Sequence, residues 1–272
     1  MQAPIMLTLE TGSLSAMLTG GKTPLERSDL PRYAIDELGL RGLSIASSIL
    51  AGCGPRALDL LRDAADRAHC PCLSMVESSP LTVNEATGAL AAAAEDRLQR
   101  LAMAASRLGC SSLAVSVSAD AKSDPDRIAT AMRRGVQLIE RHELNLLLTP
   151  SSRGLLASSE CVIDLIRRVG GFRIGCMPTF GHAIASEDGE ATLRRLAPYA
   201  AAMVADLDPL TAAKGGAFDG RLANWVRAIR SVGFASTLAL SSSARDASRR
   251  IVRAREHLEP VIAANAPEDQ DA

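Results

Sequence analysis

The sequence predicts an α/β fold, a single (β/α)8 TIM barrel. Three observations carry that expectation. Short apolar runs alternate with longer amphipathic stretches along the chain at spacings of roughly 25–40 residues, the repeat of a strand–helix unit. Several of the runs are apolar at consecutive positions, as in strands covered on both faces. About eight such units fit the 272 residues, close to the length of an eightfold barrel. A doubly wound open sheet is the alternative, and it would normally use fewer strands at this length.

The elements follow in order. Met6–Thr11 is the first strand, and a glycine-rich loop with Gly20, Gly21 and Lys22 comes after it. That loop lacks the spacing of a phosphate-binding P-loop. A helix runs from about Leu30 to Leu38, with Pro31 in its first turn and Gly39 as its stop. Gly42–Ala46 is the second strand. Gly54-Pro55 opens a helix carrying Leu58, Leu61, Ala65 and Ala68 on one face. Cys72–Val76 is the third strand, ending at Glu77, and after a polar loop Ala89–Leu108 is a long helix stopped by Gly109. Leu113–Val117 is the fourth strand. Asp124 and Pro125 supply an N-cap and a first-turn proline for a helix reaching about Arg141.

Asn145–Leu148 and Arg173–Met177, the fifth and sixth strands, flank an amphipathic helix, and each ends in hydroxyl residues. Asp188–Leu196 is a helix ended by Pro198, and Ala201–Ala205 is the seventh strand. Leu222–Val232 is a helix, Thr237–Leu240 the eighth strand, and a last helix runs from about Arg245 to near Ala264. That helix could join the outer ring or serve a partner. No proline-rich linker divides the chain, so residues 1–266 are expected to form one barrel and Pro267–Ala272 a frayed acidic tail.

Composition narrows the function. Apolar residues make up 47% and aromatics only 3%, so the core is built from Ala, Leu, Val and Ile. A formal net charge of −1 sets up no field that would attract nucleic acid or an anionic membrane. Few aromatic platforms exist for stacking single-stranded bases. No apolar stretch is long enough for a membrane helix and the N-terminus has no signal-peptide pattern, so the default location is cytoplasmic. The six cysteines are scattered, and Cys70-Pro-Cys72 without a second pair reads as small buried hydrophobes rather than a zinc site. The expected partners are a small polar molecule and either a second copy of the chain or another protein.

Five segments taken together resemble the xylose isomerase-like TIM barrels, the group of sugar phosphate isomerases and epimerases. They are AIDELGLRGLSI (Ala34–Ile45), AASRLGCSSLAVSV (Ala104–Val117), LIERHELNLLLTP (Leu138–Pro150), LIRRVGGFRIGCMPTFGH (Leu165–His182) and AIRSVGFASTLALS (Ala228–Ser241). The resemblance implies a divalent metal at the barrel mouth, held by a Glu after strand five, an Asp after strand six, a His after strand seven and a Glu after strand eight. Those positions fall on Thr149, Thr179, about Val204, and Ser241. None of the four is a carboxylate or an imidazole, so the expectation is a degenerate site with no metal and no cofactor.

Polar residues nonetheless gather where the strands stop. Glu10 and Thr11 follow strand one, Glu77 strand three, and Ser151, Ser152 and Arg153 strand five. Thr179 and His182 follow strand six, Asp206 and Asp208 strand seven with Lys214 beyond, and Ser241, Ser242 and Ser243 strand eight. Glu77 and His182 are the candidate catalytic groups, His182 because the resembling family often has a functional His three residues after its Asp. The alternative for His182 is a loop histidine bonded to backbone, and for Glu77 and Glu10 a loop cap. Glu10, Thr149, Ser151, Arg153, Thr179 and Ser241 are the candidate ligand contacts, with Ser241–Ser243 equally good as helix N-caps. The expected function is a metal-independent or non-catalytic binder of a polyhydroxyl or anionic small molecule. The alternative is an active sugar isomerase or epimerase whose acid–base work has moved to Glu10, Glu77 and His182.

Overall fold

The computed structural model describes residues 5–20, 24–84, 86–212 and 217–264. All eight expected strands form: β1 (Met6–Glu10), β2 (Leu43–Ala46), β3 (Cys72–Asn84), β5 (Ser112–Ser118), β6 (Asn145–Leu148), β7 (Ile174–Cys176), β8 (Ala202–Asp206) and β9 (Thr237–Ser241), with a short β4 (Ala89–Leu90) between the third and fourth. They pair in parallel in the order β7-β6-β5-β3-β2-β1-β9-β8. Parallel bridges Cys176↔Ala200 and Thr179↔Val204 join the two ends, so the sheet closes into a barrel.

Alternation along each strand sorts the side chains. Ala114, Leu147, Met177, Ala202, Val204 and Ala239 form a small cluster inside the barrel. Buried Thr8, Ser44, Ser74 and Ser112 share that inward parity, and the Ser44 and Ser74 hydroxyls meet at 2.9 Å. The barrel interior is filled by side chains of mixed size, with Ala and Ser at several inward positions beside Leu147 and Met177. The intervening residues, among them Leu9, Ile45, Met75, Leu113, Leu148 and Leu240, belong to the larger core beneath the helices. Gly175 is required by close approach, since a Cβ there would lie 2.8 Å from the Tyr199 carbonyl oxygen.

The outer ring is α2 (Leu30–Asp36), α3 (Pro55–Arg67), α4 (Ala92–Arg107), α5 (Pro125–Glu140), α6 (Ser159–Val169), α8 (Gly189–Leu196), α9 (Gly220–Ser231) and α10 (Ala247–Ala264). Sequence signals account for most of their ends. The Asp124 side chain accepts from the Asp126 N–H ahead of Pro125, Asp188 accepts from Ala191 N–H, and α6 stops at Gly170 with φ +73°. The amphipathic face of α6 buries Val162, Ile163, Leu165, Ile166 and Val169, each contributing at most about 1.5–3 kcal/mol. The last helix joins the ring: α10 packs on α9 and buries Ile251, Ala254 and Leu258, and Arg230 donates to the Ile262 carbonyl at 2.7 Å.

Three elements differ from expectation. The third strand does not stop at Glu77 but continues to Asn84 and pairs antiparallel with β4, so α4 begins at Ala92 rather than Ala89. Leu81 and Val83 are buried between exposed Thr82 and Asn84, a period-two pattern that Pro80 obscures. A register shift between Glu77 and Leu81 absorbs the irregularity. Two short helices sit at the mouth, α1 (Ser15–Thr19) where a glycine-rich loop was expected and α7 (Phe180–Ala185) after β7. Gly21 and Lys22 of that loop, and the acidic tail, lie outside the described residues.

Candidate ligand-binding site

The C-terminal ends of parallel strands are where a barrel presents its side chains to a ligand. Two residues beyond Leu147 on the inner face lies Thr149, and two beyond Met177 lies Thr179. The same step leads from Val204 to Asp206, from Ala239 to Ser241 and from Thr8 to Glu10. These five residues stand at or just beyond the ends of five neighbouring strands, β6, β7, β8, β9 and β1. Pairing ties the row together: Asp206 is in register with Ser241, and Thr179 bridges Val204.

Val204, the position carried over for the family's histidine, is therefore not the mouth residue. It lies one layer down among the apolar residues of the barrel interior. Strand β8 runs one residue further than expected, to Asp206, and a period-two strand presents its next inward side chain two residues on. The carried-over quartet thus contains one carboxylate.

Asp206 is held by the first turn of α7. Its Oδ2 accepts the Gly181 N–H at 2.6 Å. Thr179 caps the same helix by accepting the His182 N–H at 3.0 Å, and it also hydrogen-bonds to Asp206. Burial pushes the Asp206 carboxyl above its ordinary value; Gly181 and Thr179 oppose the rise, and the nearby Asp208 charge adds to it. Glu10 accepts from Gly12 N–H at 3.0 Å and from the Ser13 and Ser241 hydroxyls at 3.4 Å each. Burial raises its carboxyl too, against the pull of those donors. Neither set of partners includes a cation. The Thr149 hydroxyl is buried and has no partner.

Other expected site residues are placed elsewhere. Glu77 has the parity of Met75 and faces the helical layer rather than the barrel interior. It is 5% exposed, its carboxylate paired with Arg97 of α4 at 2.5 Å and accepting from Ser47 Oγ at 3.0 Å and Ser79 N–H at 2.8 Å. The buried His182 ring is turned to the loop after β6. Since a carbonyl only accepts, its Nε2–H donates to Ala157 O at 2.9 Å, and Nδ1 is buried without a partner. The Ser151 hydroxyl donates to the Arg153 carbonyl at 2.5 Å, which tightens an exposed loop and leaves the Arg153 side chain in solvent. Thr11 is consumed internally, its hydroxyl accepting the Ala46 N–H.

Beside the mouth, Asp208 clamps the loop that leads into α10. It accepts from Ser242 Oγ at 2.5 Å, from Ser243 N–H at 2.8 Å and Ser243 Oγ at 2.7 Å, and pairs with Arg250 at 3.3 Å. Ser242 and Ser243 are thereby caps of a structural junction. Lys214 lies outside the described residues. Of the expected contacts, the fold brings together Glu10, Thr149, Thr179 and Ser241, and it adds Asp206, whose place in the row depended on the register of β8. Among the described residues no three His, Cys, Asp or Glu side chains converge as a metal site would require.

No family model and no curated protein sequence matches the chain. Solved structures do match its fold. A D-psicose 3-epimerase with D-tagatose from Clostridium cellulolyticum superposes with a TM-score of 0.75 at 12% identity, over 95% of this chain and 99% of that one. An L-ribulose 3-epimerase gives 0.73 at 16% identity, over 96% and 95%. A xylose isomerase domain-containing protein from Salmonella typhimurium gives 0.71 at 12% identity, over 97% and 99%. Such identities carry the architecture and not the activity. The chain has the TIM-barrel fold of these structures.

Proposed function

We propose that the barrel mouth binds a neutral polyhydroxyl small molecule of the sugar type, without a resident divalent ion. The observation that carries this reading is the row Thr149, Thr179, Asp206, Ser241, Glu10 at the ends of neighbouring strands. Hydroxyl and carboxylate side chains are the donors and acceptors that match a sugar's hydroxyls. The sugar epimerases among the structural neighbours support the same ligand class.

An anionic ligand is disfavoured. It would meet two carboxylates whose hydrogen-bond partners include no cation, and Arg153, the one cation among the candidate contacts, is exposed. A divalent ion held in the family's manner also fits poorly, because one carboxylate and three hydroxyls offer too little charge to offset its dehydration.

Calorimetry with D-fructose and D-tagatose, set against their phosphate esters, tests the ligand class. Saturable binding of a free sugar, weakened by Thr149→Val or Asp206→Ala, is the expected result; preference for the phosphate ester would overturn it. A thermal-shift titration with manganese, zinc and cobalt tests the metal statement, which a large stoichiometric shift would sink.

A further inference from the structure

Outside the barrel bore, a cavity of about 540 Å³ lies between the outer face of β3, the loop after β2 and α4. Met75 and Glu77 look into it, on the side of β3 opposite to Ser74 and Val76, which turn to the bore. Protein interiors leave few voids larger than a water molecule, and this one falls in the range of about 300–1,000 Å³ that ligand pockets occupy. Small side chains keep it open: Ser47, Ser48 and Ala51 on the loop and Ala104 on the helix.

The chemistry of the cavity changes along its length. In a parallel sheet the helix between two strands runs back against them, so Arg97 near the start of α4 meets Glu77 near the far end of β3. Leu101 and Ala104, one and two turns further along α4, line the same cavity as Met75, which is fully buried, and Leu50. One end is therefore ionic and the other apolar. Ser48, Ser79 and Arg100 are exposed and form the entrance.

Two arginines and one carboxylate line the ionic end, which leaves one positive charge in excess. Glu77 accepts from Ser47 Oγ and Ser79 N–H and so holds Arg97 in place. Arg97 spends its Nε–H and one Nη2–H on Glu77. Arg100 reaches Asp96 through Nη1 alone. A guanidinium has five N–H donors, so both keep donors for a further acceptor. Asp96 is 61% exposed and does not line the cavity, and such a surface pair yields readily to a competing carboxylate. A single excess charge suits a monoanion, whereas a doubly charged phosphate would be repelled by Glu77 without compensation.

We propose that this cavity is a second binding site, separate from the barrel mouth, for a small organic acid. The ligand's carboxylate is held by Arg97 and Arg100, and its apolar body packs over Met75 and Leu101. Glu77 acts through Arg97 as a positioning residue.

The test is calorimetry of the full chain with hexanoate, 1-hexanol and inorganic phosphate. Saturable one-to-one binding of hexanoate is expected, with 1-hexanol and phosphate each at least about tenfold weaker. Arg100→Ser, a change at an exposed side chain, should weaken hexanoate by at least about tenfold. Ala104→Phe, which fills the cavity, should abolish binding, and melting temperature verifies that this variant is folded. Thr149→Val at the mouth should leave hexanoate affinity unchanged. No saturable binding by the wild type, phosphate bound as tightly as hexanoate, affinity unaltered in Arg100→Ser, or affinity lost in Thr149→Val overturns the proposal.

Discussion

The Gly181 N–H donates to Asp206 Oδ2 at 2.6 Å, binding the first turn of α7 to the end of β8. Glycine is needed for that approach, because a Cβ at Gly181 would lie 2.9 Å from Oδ2 and 3.3 Å from Cγ of Asp206. Gly181→Ala should gain up to about 1 kcal/mol of helix propensity and lose about 1–3 kcal/mol to crowding. A net loss in urea unfolding is expected, together with weaker sugar binding because the carboxylate is displaced. An unchanged midpoint with unchanged affinity would show that α7 does not set the position of Asp206.

The mouth carboxyls should make the protein less stable as pH rises. Burial raises both Glu10 and Asp206, so the folded state holds their protons more tightly than the unfolded chain. That contribution is fully present below the ordinary carboxylate range and is lost as pH climbs through the raised values. Asp206→Asn removes a buried charge and should therefore melt higher than wild type at pH 8, with the gap narrowing towards pH 4. A site kept for function at the expense of stability behaves this way. Melting curves at the two pH values check it, and a lower melting temperature for the variant at pH 8 would contradict it.

Asp208 predicts the opposite trend. Burial tends to raise its carboxyl, but the Ser242 and Ser243 hydroxyls, the Ser243 N–H and Arg250 outweigh that and hold it below its usual value. Its stabilisation is present above the ordinary carboxylate range and disappears as pH falls through the lowered value. The side chain is 30% exposed, so Asp208→Ala should cost a discounted amount, about 1–2 kcal/mol at pH 7. The difference from wild type should shrink on acidification in pH-dependent denaturation.

Glu77 and Arg97 should behave as structure and not as catalysis. Arg97→Ala would strand a carboxylate that is 5% exposed. Breaking a buried pair costs about 3–5 kcal/mol, and since Arg97 is 34% exposed, about 2 kcal/mol is expected here once solvent screening is allowed for. Glu77→Gln should leave sugar affinity unchanged. Calorimetry showing affinity lost in a well-folded Glu77→Gln protein would return Glu77 to the site.

The elements legible in the sequence were those whose signals are local. Eight apolar runs became eight strands, and Pro55, Asp124 and Asp188 marked helix ends where the structure has them. The hairpin of β3 and β4 was hidden because Pro80 argues against a strand, and only a shift in pairing with β5 accommodates it. Helix α7 covers six residues, too few for periodicity to emerge. Of the candidate contacts, Glu10, Thr149, Thr179 and Ser241 could be placed by counting to strand ends. Glu77 could not, since a strand end says nothing of which face its last side chain takes.

By itself, then, the sequence determined a parallel barrel and a set of hydroxyl and acidic residues at its strand ends, because apolar period and residue type are properties of the chain alone. Tertiary structure decided which polar residues share the mouth. Closing the sheet set the register of β8, and a step of two residues along the same face exchanged Val204 for Asp206 at the mouth. The same closure turned Glu77 outward to Arg97 and brought Glu10 and Asp206 to the two sides of Ser241. Register and facing depend on partners far along the chain, and in a strand of period two a shift of one residue separates a core side chain from a site.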